Sequence, residues 1–208
     1  MKKLAIFVEG KTEQIFVQKL LKEIAGQLHI SIEIKSRENS NSAQVIMKDT
    51  VTSATKFYVL IYNSCNDETV VSDMRELYNS LSIEGYERII GLRDVYPIPI
   101  AEKSQLQRGL NFSLPKGSIP INIVLAVMEV EAWFLAEYNH FIKIDTSLIP
   151  DKIQEIFGFN PKSDNMEQRH HPAEDIKQIY NPHSAPQNVT EGNYGDENQR
   201  EHQNKQIK

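Results

Sequence analysis

Short apolar runs alternate with longer amphipathic stretches, and this alternation is the feature that most constrains the fold. Four continuous apolar runs have the length and composition of strands buried on both faces of a sheet: residues 4–8, 57–62, 88–93 and 121–127. Residues 30–34 alternate apolar and polar side chains and predict a half-buried strand. The intervening stretches 12–28, 69–82 and 128–141 predict helices, and about 101–111 predicts a helix or an irregular crossover. Together these elements predict an α/β fold with a mainly parallel, Rossmann-like sheet flanked by helices.

The alternation ends near residue 142 and divides the chain into three predicted parts. Residues 1–142 form the α/β domain, and residues 143–180 form a small helical extension with two short helices. Residues 181–208 are rich in Asn, Gln and Glu and almost devoid of apolar side chains, which predicts a disordered tail. Inside the first part, residues 43–54 predict a weak helix, although their Thr and Val content is unfavourable for one.

The composition excludes several classes of protein. With 40% hydrophobic and 25% charged residues, the 208-residue chain is globular rather than wholly disordered. Its single cysteine, Cys65, cannot form an intrachain disulfide, so we expect a cytoplasmic protein. No apolar run approaches the roughly 20 residues that cross a bilayer, and the N-terminal apolar patch ends at Glu9, too early for a signal peptide. We therefore expect no membrane partner.

The formal net charge of −5 argues against a generic nucleic-acid binder, which would carry a basic stripe. It does not argue against a phosphodiester substrate. An acidic site that binds divalent cations adds negative charge to the sequence, and the bound cation reverses that charge locally.

The tripeptide Gly10-Lys11-Thr12 matches the end of the nucleotide-binding P-loop, G-x-x-x-x-G-K-[ST]. Ala5 stands where the first glycine of that motif belongs, and the residues between them form the first predicted strand. We therefore interpret Gly10 as a tight turn and Thr12 as a helix N-cap. Lys11 is then a solvated side chain or a phosphate contact.

Acidic side chains follow three of the apolar runs. Glu9 ends the first run and Asp94 ends the third, while Glu129 and Glu131 follow the fourth at the start of a helix. The carboxyl ends of parallel strands lie at one edge of a sheet, where α/β proteins bind their ligands. Converging carboxylates repel each other unless a cation compensates them, and all-oxygen ligation suits Mg²⁺ or Mn²⁺. The sequence thus predicts a magnesium or manganese site at this edge.

Three segments, "FVEGKTE", "GLRDVYP" and "EVEAWFLAE", resemble in their order the TOPRIM-like superfamily, whose fold is shared by topoisomerases, primases and OLD-type nucleases. The similarity covers about the first two thirds of the chain and is closest to a domain of unknown function found in bacterial defence loci. "HPAEDIKQIY" also resembles that branch. The resemblance implies a nuclease in which Glu9 acts as general acid or base and Asp94 binds Mg²⁺. Tyr96 replaces the family's second aspartate, so Glu129 or Glu131 would have to supply the missing oxygen.

Three hypotheses about function follow. The leading one is a metal-dependent phosphodiesterase that acts on nucleic acid, possessing a site for Mg²⁺ or Mn²⁺ and side chains that contact phosphates. The predicted metal ligands are Glu9, Asp94, Glu129 and Glu131, and the predicted phosphate contacts are Lys11, Arg93, Lys103 and Arg108. The second is a catalytically degenerate TOPRIM-like module that binds a partner protein, such as the ATPase of a defence system. The third is a nucleotide-binding protein of flavodoxin-like topology.

Two pairs of residues adjacent in sequence, one of histidines and one of aromatic residues, are interpreted as structural rather than functional. His170 and His171 are adjacent and point apart on a helix, which disfavours a shared metal site, and Pro172 suits the first position of a helix. Trp133 and Phe134 are interpreted as core residues of an amphipathic helix.

Overall fold

The computed structural model describes residues 1–37 and 43–181, and the predicted tail beyond residue 181 lies outside this part of the chain. Within it, six strands form one sheet: β1 (Lys2–Val8), β2 (Ile30–Ser36), β3 (Gln44–Lys48), β4 (Phe57–Asn63), β5 (Arg88–Asp94) and β6 (Ile121–Ala126). Seven α-helices accompany them: α1 (Lys11–Ala25), α2 (Asp67–Ile83), α3 (Lys103–Ser113), α4 (Glu131–Ala136), α5 (Phe141–Ile144), α6 (Pro150–Phe157) and α7 (Pro172–Tyr180). None of these helices is long and apolar enough to cross a bilayer.

The strand order is β3-β2-β4-β1-β5-β6, and every neighbouring pair is parallel except β2 and β3. This confirms the predicted α/β class with a mainly parallel sheet flanked by helices. The chain leaves β1 toward β2, returns through β4, and then continues to β5 on the other side of β1. The direction of winding therefore reverses at β1, and the carboxyl ends of strands at such a reversal are where open α/β sheets bind ligands.

Two apolar cores cover the two faces of the sheet. In β1, Ala5 and Phe7 belong to the core beneath α2 and α3, whereas Ile6 and Val8 belong to the core beneath α1 and α4. This alternation confirms that the first apolar run is a strand buried on both faces. It also places α1 and α2 on opposite faces, as right-handed crossovers in opposite directions require.

Segment 43–54 does not form the predicted helix. Gln44–Lys48 form β3, an antiparallel edge strand, and Val45 and Ile46 are each more than half exposed. Branched side chains favour an extended backbone, and β2 offers hydrogen-bonding partners that an isolated weak helix lacks. β2 itself is buried on both faces rather than half-buried, because it lies between β3 and β4 and buries Ser31 and Glu33.

Two further boundaries differ from the prediction. Gly10, not Thr12, is the N-cap residue of α1, and Thr12 lies inside the first turn. The predicted helix over 128–141 is divided into α4, a short 3₁₀ turn at Tyr138–His140, and α5.

A third core attaches the C-terminal helices to the sheet. Leu135 of α4 and Phe141 of α5 pack with Ile153 of α6 and Ile179 of α7, and all four are fully buried. Both short helices predicted in the extension are present, and α7 begins at Pro172 as expected. Because α7 packs on α4, the extension lies next to the end of β6.

Candidate functional site

The carboxyl ends of β1, β5 and β6 bring together acidic residues that are distant in sequence. β5 pairs with β1 on one side and β6 on the other, with Phe7 opposite Gly91 and Asp94 opposite Ala126. The backbone N–H of Asp94 donates a hydrogen bond of 2.7 Å to Oε1 of Glu9. The two residues at the strand ends are therefore direct neighbours.

Two more carboxylates are oriented by backbone N–H groups. Oδ1 of Asp94 accepts a hydrogen bond of 3.1 Å from the N–H of Val130, in the turn that leads into α4. Oε2 of Glu129 accepts one of 2.9 Å from the N–H of Ala173, in the first turn of α7. Hydrogen bonds of this kind fix the orientation of a carboxylate without neutralising its charge.

Glu13 joins this group and was not identified from the sequence. It lies in the first turn of α1, and only 7% of its surface is exposed. A Cβ atom at Gly10 would lie 3.1 Å from its Oε2, so the side chain folds back over the start of the helix. Gly10 has an extended backbone, so space for Glu13, rather than a left-handed turn, explains the glycine. The sequence feature that could have identified Glu13 is its position four residues after Glu9.

We call Glu9, Glu13, Asp94, Glu129 and Glu131 the acidic cluster. Its members concentrate negative charge around Asp94. Burial is the largest of the causes that raise the pKa of Asp94 to about 8, followed in order by the neighbouring carboxylates of Glu9, Glu13, Glu131 and Glu129. At neutral pH the Asp94 carboxyl therefore tends to retain a proton unless a cation replaces it.

Glu131 shows the same effect more weakly. Burial raises its pKa, the carboxylates of Glu13 and Glu129 add to the rise, and Lys177 and a backbone hydrogen bond oppose it. Among residues 1–37 and 43–181, no lysine or arginine forms an ion pair with Glu13, Asp94, Glu129 or Glu131. Within this part of the chain, these four carboxylates thus lack a direct ion-pair partner, and Lys177 acts on Glu131 only from a distance.

The acidic cluster is suited to a cation by chemistry more than by present geometry. Within the described residues, no three acidic, histidine or cysteine side chains converge closely enough to form a ready-made metal site. All five donors are carboxylates, the ligand type that Mg²⁺ and Mn²⁺ prefer, and a cation would relieve their repulsion. The donor chemistry of these residues therefore fits such an ion.

Tyr96, which stands where the resemblance requires a second aspartate, lies at the rim of the acidic cluster. It lines a cleft of about 430 Å³ together with Glu9, Glu13 and Asp94. Its side chain is 43% exposed, and its ring meets the ring of His171 edge-to-face at 5.8 Å. An aromatic side chain therefore occupies the position of the missing acid.

The residues predicted to contact phosphate are dispersed. Lys11 is the exposed first residue of α1 and lines a separate cavity with Ser36 and Asn63 rather than the acidic cleft. The alternation along β5 places Arg93 on the face of the sheet opposite to Asp94. Lys103 and Arg108 lie on α3, which packs on β6 from the α2 side, and neither lines the acidic cleft.

No protein-family model, no characterised protein and no solved structure matches the chain. The similarity to TOPRIM-like proteins therefore stays a prediction from short motifs. The function is accordingly argued from the chemistry of the site.

Proposed function

We propose that the protein is a divalent-cation-dependent phosphodiesterase that acts on nucleic acid, as expected of a TOPRIM-like nuclease of a bacterial defence system. The observation that supports this most is the environment of Asp94. Its carboxyl group is largely buried among four other carboxylates, at the point where the winding of the sheet reverses. A purely structural role would favour a counter-charge, whereas ionisable groups with strongly shifted pKa values cluster at functional sites.

Each carboxylate has a role in this proposal. Mg²⁺ or Mn²⁺, when bound, would stabilise the negative charge that develops on the phosphoryl group. Asp94, Glu13 and Glu131 hold the cation. Glu9, oriented by the N–H of Asp94, accepts the proton of the attacking water as a general base. Glu129 stays anchored to the first turn of α7 and contributes charge rather than a mobile ligand.

Positive charge for the substrate would be supplied by Lys11, which follows the cleft residue Gly10 in the chain. Lys11 is exposed at the start of α1, where the helix dipole also favours an anion. The remote positions of Lys103 and Arg108 suit contacts with more distant phosphates of a polymer rather than with the scissile one.

The test is cleavage of labelled single-stranded and double-stranded DNA and RNA with Mg²⁺ or Mn²⁺. We expect Glu9→Gln and Asp94→Asn each to lower the cleavage rate by at least about 100-fold, because they remove a proton acceptor and a cation ligand. Glu23→Gln is the matched control, since Glu23 is an exposed carboxylate on the same helix as Glu13. Equal cleavage by the wild type and both site variants would contradict the proposal.

One observation favours the alternative, a degenerate module that binds a partner ATPase. Tyr96 occupies the place of an acid, and Glu129 is engaged with α7, so fewer mobile ligands remain than a nuclease of this type requires. This alternative predicts no cleavage of any substrate with either cation. It also predicts a one-to-one complex with an ATPase encoded beside it, which analytical ultracentrifugation of the co-expressed pair would detect.

A further inference from the structure

A pocket of about 820 Å³ adjoins the acidic cleft and shares part of its wall. Tyr96 and Pro97 line both cavities, so the two cavities are neighbours. The pocket is also lined by His170 and His171, which precede α7, and by Gln178 of α7 itself.

Both walls are fixed by contacts that do not involve a ligand. The N–H of Tyr96 donates a 2.8 Å hydrogen bond to the carbonyl of Met128, which extends the pairing of β5 with the chain after β6. On the other side, the guanidinium of Arg169 makes two hydrogen bonds of 2.7 and 2.8 Å to the carboxylate of Asp175. The same guanidinium lies 4.3 Å from the centre of the Phe159 ring. The pocket is thus a preformed feature of the fold.

The charged side chains that line the pocket are all ion-paired. Arg169 is the only lysine or arginine among the described residues that line it, and it is paired with Asp175. Glu174 is paired with Lys177, which lies outside the lining, at 3.0 Å. The remaining polar side chains are the hydroxyl of Tyr96, two amides and two imidazoles, which donate and accept hydrogen bonds. Such a lining suits a neutral planar group with polar edges and is unsuited to a phosphate.

Tyr96 supplies an aromatic surface at the junction of the two cavities. Tyr96 is 43% exposed, and among the described residues its ring contact is the edge-to-face approach of His171. Exposed aromatic rings beside a nucleic-acid site are stacking platforms for unpaired bases.

We propose that this pocket binds an unpaired nucleobase stacked on Tyr96, while the adjoining phosphate lies in the acidic cleft. The placement of the phosphate rests on the proposed phosphodiesterase function, whereas the binding of the base does not. A base within a duplex would first have to be unstacked and unpaired, a cost that an unpaired base does not incur. The favoured substrate class is therefore single-stranded nucleic acid, or the frayed end of a duplex.

The test uses 2-aminopurine riboside, a fluorescent nucleoside without phosphate, titrated into the full-length protein in the presence of EDTA. We expect saturable quenching by the wild type and by Asp94→Asn, because the base pocket needs neither the cation nor the acidic cluster. Tyr96→Ala should weaken binding by about tenfold or more, the effect of losing one stacked base, whereas Tyr96→Phe retains the stacking ring. Phe112→Ala is the matched control, since Phe112 is an 85% exposed aromatic residue on α3 outside the pocket.

The outcomes separate this proposal from the proposed activity. Nucleoside binding that depends on Tyr96 without any cation-dependent cleavage would support the pocket and contradict the phosphodiesterase. Cleavage that depends on Asp94 without saturable nucleoside binding, or with equal binding by Tyr96→Ala and Phe112→Ala, would overturn the pocket. Saturable binding of an aromatic peptide, together with no response to the nucleoside, would assign the pocket to a protein segment and overturn the proposal as well.

Discussion

Buried carboxylates occur in two regions of the molecule, and only one region supplies counter-charges. Outside the acidic cluster, Glu33 of β2 lies 3.4 Å from Nζ of Lys48, and Asp73 of α2 is paired with Arg37. Glu33 and Asp73 are 5% and 1% exposed, so they are at least as buried as the acidic cluster. Within the described residues, Asp94 has no such cationic partner.

The contrast distinguishes carboxylates that stabilise the fold from carboxylates that are kept for a ligand. Burial raises the pKa of both Asp73 and Asp94, but Ser64 and Arg37 oppose the rise at Asp73. At Asp94 the leading contributions after burial all come from other carboxylates and act in the same direction. The fold thus offsets part of the cost of burying Asp73, whereas at Asp94 the neighbouring carboxylates add to that cost, which a bound cation would reduce.

The largest expected effect is on the pH dependence of stability. The pKa of Asp94 rises from 3.8 to about 8 on folding, so the protonated form is favoured in the folded state. Its contribution to stability is complete below the unfolded pKa and is lost as the pH rises through the folded pKa. Between about pH 5 and pH 8 we expect the free energy of unfolding of the wild type to fall by about 4 kcal/mol relative to Asp94→Asn.

Urea denaturation of both proteins at stepped pH, without divalent cations, measures this difference. Glu23→Gln serves as the control and should follow the wild type, because its carboxylate is exposed on α1. If the free energy of unfolding changed with pH by the same amount in the wild type and Asp94→Asn, the raised pKa of Asp94 would be contradicted.

The second effect concerns the compensated region. Arg37→Ala would leave Asp73, which is 1% exposed, without its cation, and we expect a loss of about 3 kcal/mol in the free energy of unfolding. Arg75→Ala, on the exposed side of α2, removes the same side chain without a buried partner and should change stability by less than about 0.5 kcal/mol. Urea midpoints compare the two. Equal midpoints would mean that Arg37 is not needed to stabilise Asp73.

The smallest effect divides the acidic cluster itself. Glu129→Ala removes the side chain that caps the first turn of α7 and should cost about 1 kcal/mol, whereas Glu129→Gln keeps an acceptor oxygen. Glu131→Ala should cost nothing or stabilise the protein, because burial and neighbouring carboxylates raise the pKa of Glu131. Thermal unfolding at about pH 8 ranks the three variants. A larger loss of stability for Glu131→Ala than for Glu129→Ala would contradict the view that Glu129 supports the fold and Glu131 does not.

Much of the fold was predictable because its interior strands are continuous apolar runs followed by periodic helices. β3 was not, since an edge strand with exposed Val45 and Ile46 has no buried face to create a pattern. The strand order was not predictable either. β4 inserts between β1 and β2, and no local sequence pattern indicates that position.

At the site, Glu9 and Asp94 were identified because carboxylates that end apolar strands are unusual in sequence. Glu13 was missed because a glutamate in the first turn of a helix is commonplace on electrostatic grounds alone. Its role depends on the side chain folding back beside Gly10, which is a tertiary contact. The anchoring of Glu129 by α7 likewise depends on how the C-terminal extension packs.

The most direct test of the central claim is calorimetric titration of Mn²⁺ into the cation-free protein at about pH 7.5. We predict a single saturable binding event that Asp94→Asn abolishes and Glu23→Gln leaves unchanged. Because the Asp94 carboxyl has a pKa of about 8, binding should release a proton, so the measured heat should vary with the ionisation enthalpy of the buffer. Absence of saturable heat, or the same heat from Asp94→Asn as from the wild type, would contradict a cation site at the acidic cluster.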